Sequence, residues 1–193
     1  MLDNHSFQPA WGLSNPNLQT IVSSVGRKIM KPAWLDDFVQ RSERRDIHVQ
    51  GQHLTAQYDR SSQIDAALVM IIHGWLGSAD SSYVLSTAHA LQGAGYHVAR
   101  LTLRDHGGTA DLNEGLFHSA MTHEVVAAAQ CIMDDFGCST AGLVGFSMGG
   151  NFALRLAKHL PQLHTLAICP AISPQHTVEQ IAGSVIYERY FMG

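Results

Sequence analysis

The sequence predicts an α/β fold built on a mostly parallel sheet, and three observations predict it. Apolar segments of strand length alternate with segments of helical spacing along most of the chain, the pattern of helices packed on a sheet. Ala66–Ile72 is an unbroken apolar run, as expected of a strand covered on both faces. Val144–Asn151 is rich in glycine where a strand pattern gives way to a helical one, which marks a tight strand-to-helix turn.

Arg45–Val49 and His53–Tyr58 read as two short strands around a turn at Gly51-Gln52. After the strand Ala66–Ile72, His73-Gly74-Trp75-Leu76-Gly77-Ser78 is a loop. The helix from Ser82 to Gln92 carries Val84, Leu85, Ala88 and Leu91 on one face, and Gly93 and Gly95 end it. His97–Leu103 is the next strand, closed by Arg104-Asp105-His106-Gly107-Gly108. Met121, Val125, Ala128, Ile132 and Phe136 recur at helical spacing before Gly137. Ala141–Gly145 leads into Ser147, a helix covers 148–160, Leu163–Cys169 is a sixth strand, and 173–193 is weakly helical. Residues 1–40 form a lead segment with turns at Ser14-Asn15-Pro16-Asn17 and Lys31-Pro32, so the expected division is 1–40 and 41–193.

Composition narrows the class. A chain of 193 residues can bury about 70% of its unfolded surface in one domain. The hydrophobic share of 46% and charged share of 15% suit a globular protein with a generous interior. Net charge is −4, and the one basic cluster, Arg41, Arg44 and Arg45, is interrupted by Glu43 and followed by Asp46. Nucleic-acid binding therefore has no electrostatic support. Cys131, Cys138 and Cys169 form no C-x-x-C and no even framework, so free thiols in a reducing compartment are expected. Residues 1–16 lack a charged n-region and an apolar h-region, and the apolar run at 66–72 is too short to span a bilayer. The expected location is cytoplasmic, with peripheral membrane contact and oligomeric state left open. Twelve histidines show no H-E-x-x-H or Cys/His ligand spacing, so neither metal nor cofactor is expected.

The chemistry concentrates at Gly145-Phe146-Ser147-Met148-Gly149. G-x-S-x-G marks a nucleophile elbow, a sharp turn that holds a serine up to an ester or amide carbonyl. Small residues at 145 and 149 let strand and helix backbones approach, and Gly150 adds room. The competing reading is a phosphate-binding turn at a helix N-terminus. A dinucleotide fingerprint would need glycine where Ser147 stands, and it belongs after the first strand rather than a late one. Ser147 is therefore the candidate nucleophile. The loop after the third strand supplies one oxyanion-hole amide in such a site and the residue after the nucleophile supplies the other, which selects the N–H groups of Trp75 and Met148. His73, Gly74, Trp75 and Phe146 are the expected substrate-contacting residues.

A serine nucleophile needs a histidine base and an acid, in the chain order Ser, Asp/Glu, His. No Asp follows Ser147, the later acids are Glu179 and Glu188, and no His follows either. His159 stands 12 residues along the helix, about 18 Å of axial rise from Ser147, too far to act as base. His164 begins a strand at the opposite edge. His176 precedes any acid, His106 reads as a structural loop histidine, and capping or surface roles suffice for His118 and His123.

Together these residues resemble the YheT-type branch of the α/β-hydrolases, a group of serine esterases and lipases. The resemblance rests on Asn15-Pro16-Asn17-Leu18-Gln19-Thr20, on His73–Ser78, on Phe117-His118-Ser119 with Glu124, and on Val144–Asn151. It covers essentially the whole chain but only the N-terminal part of the family's length. It implies an α/β-hydrolase core of about six strands, then a lid starting near 173 and two further strands carrying the Asp and His. Tyr187–Phe191 looks like the beginning of that lid. Trp75-Leu76 departs from the branch's Leu-Thr, and Arg104-Asp105-His106-Gly107 departs from its R-G-C turn, so the site's walls differ. The implied activity is hydrolysis of short- or medium-chain carboxylic esters, small-molecule or lipid, through an acyl-enzyme. The 193-residue chain alone is expected to be nearly inactive for want of base and acid. The alternatives are an acyltransferase using the same serine and a non-catalytic binding fragment.

Overall fold

In a computed structural model, which describes residues 8–16, 18, 19, 22 and 31–183, the chain divides into two compact units, Met1–Asp37 and Phe38–Gly193. In the first, the Asn15 side-chain carbonyl accepts the Leu18 N–H at 3.3 Å, so the residue before Pro16 caps a turn as its type favours. Asn17 and Thr20 of the lead hexapeptide, and the segment Tyr187–Phe191, lie outside the described residues.

Helix α1, Leu35–Arg41, spans the division. The second unit then runs β1 (Glu43–Val49), β2 (Gln52–Asp59), β3 (Leu68–Ile72), α2 (Ser82–Gly93), β4 (His97–Thr102), a single 3-10 turn, α3 (Thr122–Asp135), β5 (Ala141–Phe146), α4 (Met148–His159), β6 (Leu163–Ile168) and α5 (Pro174–Ala182). The six strands form one sheet in the order β1-β2-β4-β3-β5-β6. The pairs β1–β2 and β2–β4 are antiparallel, and β4–β3, β3–β5 and β5–β6 are parallel. The expected mostly parallel α/β architecture is thus what the chain adopts, with boundaries from β1 to β6 within two residues of those expected; helix α1 was not expected, and of the weakly helical stretch 173–193 the described part is helical over Pro174–Ala182.

The hairpin differs in one detail. Its turn is centred on Gln50-Gly51, since Val49 pairs with Gln52 and both central residues have positive φ, 52° and 74°. That is a type I′ turn, whose twist matches the paired strands, and it moves the centre one residue back from Gly51-Gln52.

Alternation along the strands sorts the core. Leu68, Met70 and Ile72 join one apolar cluster with Val125, Ala128 and Ile132 of α3 and Phe152, Ala153 and Leu156 of α4. Val69 and Ile71 point the other way, and α2 with its buried Val84, Leu85 and Ala88 covers that face. Two charged groups are buried with their partners. Arg100, at the middle of the sheet, reaches Asp59 at 2.7 Å, Ser42 Oγ at 2.7 Å and the Ala79 carbonyl at 2.7 Å. Arg104 pairs with Glu124 at 2.7 Å and also reaches Gln52, tying the loop after β4 to α3 and β2. Both acids are nearly inaccessible, so each neutralises a charge that would otherwise be too costly to bury.

Candidate active site

The parallel register assembles the site. Ile72 of β3 lies beside Gly145 of β5, and Phe146 of β5 beside Ile168 of β6. Two residues further on, Gly74 and Ser147 meet at the carboxyl edge of the sheet, where a β-carbon added at Gly74 would lie 3.3 Å from Ser147 Cβ. Ser147 sits between the last residue of β5 and the first of α4 with φ 52° and ψ −114°, a sparsely populated conformation for a side-chain-bearing residue. Three backbone bonds hold it there. Its N–H donates to the Ile168 carbonyl at 2.9 Å, and its carbonyl accepts from Asn151 and Ala171, both at 3.1 Å. The Asn151 side chain donates to the Ala171 carbonyl at 2.9 Å and pins the same loop.

The glycines of G-x-S-x-G stand where nothing larger fits. A β-carbon at Gly145 would lie 2.2 Å from the Gly149 carbonyl oxygen, and one at Gly149 would lie 2.3 Å from the His73 oxygen and 2.4 Å from the Ile72 oxygen. Real β-carbons do not come so near to backbone atoms. The strand-to-helix turn at this depth therefore depends on both residues.

Ser147 is exposed at the floor of a cavity of about 610 Å³. Its walls come from the β3–α2 loop (Gly74, Trp75), α2 (Tyr83), the segment 117–119, the turn at Ser147 (Phe146, Met148) and α5 (Val178, Ile181). Most of that surface is apolar, as is usual for a cavity that takes a small molecule. Trp75, at 37% exposed, lies on the wall. Among the described residues, neither the Trp75 nor the Met148 N–H has an acceptor within the protein, and Met148 is the first residue of α4, where the helix leaves its N–H groups unpaired.

Of the four expected substrate-contacting residues, Gly74, Trp75 and Phe146 line the cavity and His73 does not. His73 is fully buried. Its Nε2 accepts the Leu103 N–H at 3.1 Å, which fixes the tautomer, and its Nδ1–H donates to the Gly74 carbonyl at 2.7 Å. Burial above all, with the neighbouring His106 adding to it, lowers its pKa from 6.5 to about 4 against the opposing Gly74 bond. His73 is a neutral strut between the ends of β3 and β4, and it fixes the loop that presents Trp75.

The other histidines separate clearly. His106 is buried, 5.0 Å ring to ring from both His73 and Phe117, with Nδ1 on the Arg104 carbonyl. It stands behind the cavity wall. His123, His159 and His164 are exposed and off the cavity, and His176 of α5 contacts Ser173 Oγ at 3.0 Å. His118, read from sequence as a capping or surface residue, lines the cavity with Phe117 and Ser119. Tyr83 was not singled out by sequence either: its hydroxyl oxygen accepts the Gly74 N–H at 2.9 Å, and its ring lies edge-on to Phe146 at 4.9 Å. No spacing rule links position 83 to position 147. Among the described residues, no cluster of His, Cys, Asp and Glu could hold a metal ion, and no helix is long and apolar enough to cross a membrane.

A six-stranded sheet in this order, with a strained serine on the turn after β5, defines the α/β-hydrolase class, and the chain belongs to the alpha/beta hydrolase fold family, which residues 67–186 match. Among curated proteins it is similar to "Putative esterase YheT" of Escherichia coli (strain K12), 28% identical over 158 residues, which are 79% of this chain and 44% of that protein. It also matches the thermostable monoacylglycerol lipase of Bacillus sp. (strain H-257), 33% identical over 101 residues, 49% of this chain and 36% of the lipase. The chain thus spans less than half the length of these relatives. In fold it is similar to the Pyrococcus furiosus esterase Pf2001, with a TM-score of 0.64 and 18% identity over 82% of this chain and 64% of that one.

Proposed function

We propose that Ser147 is the nucleophile of a carboxylic-ester hydrolase acting on short- or medium-chain acyl esters. The observation that carries the reading is the conformation of Ser147, φ 52° and ψ −114°, at the floor of an apolar cavity. A strained residue persists only where its surroundings over-determine it, and here three backbone bonds and two glycines do so. The serine oxygen attacks the acyl carbonyl, and the amides of Trp75 and Met148 hold the oxygen as it becomes an anion. The anion collapses to an acyl-enzyme as the ester's alcohol leaves with the proton that the serine gave up, and water then adds to the acyl carbonyl, releasing the carboxylic acid and restoring the serine hydroxyl.

The same reading limits what these 193 residues do by themselves. Among the described residues no histidine bonded to an acid faces Ser147. Loss of base and acid costs several orders of magnitude in rate and leaves only what oxyanion hole and binding supply. For the isolated chain the second reading, a module that binds acyl compounds without turning them over, rests on that same observation.

The test pairs a fluorophosphonate with p-nitrophenyl butyrate, on the 193-residue chain and its Ser147→Ala variant. Slow modification confined to Ser147, with butyrate turnover equal in the two proteins, is the expected result. Modification elsewhere, or none, removes the nucleophile assignment. Turnover that depends on Ser147 shows that a base does exist within these residues.

A further inference from the structure

We propose that the Tyr83 hydroxyl is a third hydrogen-bond donor to the oxyanion, beside the amides of Trp75 and Met148; this rests on the nucleophile reading of Ser147.

The placement of the oxygen comes from four observations. Tyr83 is the second residue of α2 and its side chain lines the Ser147 cavity. Its oxygen accepts the Gly74 N–H at 2.9 Å, so a neighbour of the proposed Trp75 donor fixes it. A β-carbon built on Gly74 would lie 3.5 Å from that oxygen and 3.3 Å from Ser147 Cβ, so the hydroxyl and the serine both lie close to one point. The oxygen is also enclosed by the turn Gly74–Gly77, which closes with a 3.0 Å backbone bond, and a β-carbon at Gly77 would come within 2.8 Å of it.

Hydrogen-bond accounting then directs the proton. A phenol oxygen has one proton to give besides accepting. The Gly74 N–H uses its acceptor capacity, and among the described residues no protein group accepts the Tyr83 proton. The proton is left to the cavity, next to the serine. The Gly74 bond polarises the O–H in the direction that makes it a better donor. A donor held in place before the reaction, in a low-polarity cavity, stabilises developing negative charge more than it stabilises a neutral carbonyl.

The experiment uses an equilibrium adduct, because equilibrium needs no proton shuttle. Butylboronic acid is trigonal and neutral. Bond formation between boron and Ser147 Oγ, with the serine proton leaving to buffer, gives a tetrahedral anion in which the boron-bound oxygens stand for the oxyanion. Boron-11 NMR reports the tetrahedral centre, and the fluorescence of Trp75 on the cavity wall follows binding. Pentanamide, neutral and of equal chain length, is the comparator. The variants are Ser147→Ala, Tyr83→Phe, and 3-fluorotyrosine placed at position 83, which keeps the oxygen and strengthens the donor.

The expected result is a tetrahedral signal that Ser147→Ala abolishes. Tyr83→Phe weakens the boronate by about 10- to 100-fold, the range for a hydrogen bond to a charged group, and weakens pentanamide by less than about 3-fold. The fluorinated protein binds the boronate more tightly than the parent and pentanamide about equally. Equal weakening of both ligands by Tyr83→Phe leaves the residue a loop anchor and overturns the third donor. So does an unchanged boronate affinity in Tyr83→Phe or, should that variant not fold, in the fluorinated protein. A parent chain with no Ser147-dependent tetrahedral signal overturns the nucleophile reading itself.

Discussion

Replacing Gly149 by alanine places one methyl group where the carboxyl end of β3 already is. The new β-carbon would lie 2.3 Å from the His73 carbonyl oxygen and 2.4 Å from that of Ile72, so one of the two backbones must retreat by about 1 Å to reach ordinary contact. β3 has nowhere to go, because Ile72 is paired with Leu101 on one side and Gly145 on the other. Overpacking of this kind costs about 1–3 kcal/mol. A stretched ladder bond adds about 1 kcal/mol, and the better helix propensity of alanine returns about the same amount. The net loss is about 1–3 kcal/mol, which for a domain of this size lowers the melting temperature by about 3–10 °C. Gly93, the last residue of α2, is the control: a β-carbon there meets nothing within 4 Å and the backbone φ is not positive. Gly93→Ala should raise stability by about 0.4–1 kcal/mol. Circular-dichroism melts of the three proteins, with urea midpoints as a check, give the answer. A Gly149→Ala protein melting within about 1 °C of the parent would refute the claim that helix α4 and strand β3 touch at this residue.

Two further outcomes follow from the same geometry. The folded His73 binds its proton with a pKa near 4 and the unfolded one near 6.5, so the unfolded chain binds more protons between those values. Stability from this residue is complete above about pH 6.5 and is lost as pH falls towards 4, by up to roughly 3 kcal/mol. Urea titrations from pH 7.5 to 4 should show that slope, and His73→Gln should flatten it. Ser147→Gly should unfold at a higher urea midpoint than Ser147→Ala, by about 1–2 kcal/mol. Its φ 52° and ψ −114° mirror an ordinary extended conformation, which glycine enters without strain. Equal midpoints would mean that the elbow stores no strain at this residue.

What could be read from the sequence was what local patterns carry. The buried run at 66–72 and the helical spacing from Met121 to Phe136 each became the element they suggested, because burial on two faces and on one face leave different periods. The tight strand-to-helix turn at Ser147 was legible for a different reason: glycine at 145 and 149 is an excluded-volume requirement, and such requirements show in the residue itself. His73 was misplaced because a histidine before a glycine looks like a loop residue. Whether its ring turns to the cavity or to the Leu103 amide is decided by the register of β3 on β4. His118 and Tyr83 were missed for the same reason, since each reaches the cavity through packing between segments far apart in the chain. Arg100 carried no signal of its own within the strand expected at 97–103. Its burial is matched by Asp59, 41 residues earlier on β2, which reaches it diagonally across the β2–β4 pair.

The contacts that hold Ser147 come from a short list of elements, and that has a consequence for how such a site is built. Its N–H and carbonyl are engaged by β6, the residues just after it and Asn151 of α4, its flanking glycines press against β3 and α4, and the proposed oxyanion amides belong to the β3–α2 loop and to α4 itself. His73 braces that loop from β4, and Tyr83 does so from α2. None of these supports is a candidate base or its acid. The part of the site that positions Ser147, with the amides proposed to receive an oxyanion, is therefore assembled by the packing that makes the sheet. Perturbations inside it, such as Gly149→Ala, should disturb stability and ligand binding together. Binding of a boronate, rather than turnover, reads the serine half directly, because an equilibrium adduct needs no proton shuttle while the rate of acyl transfer does.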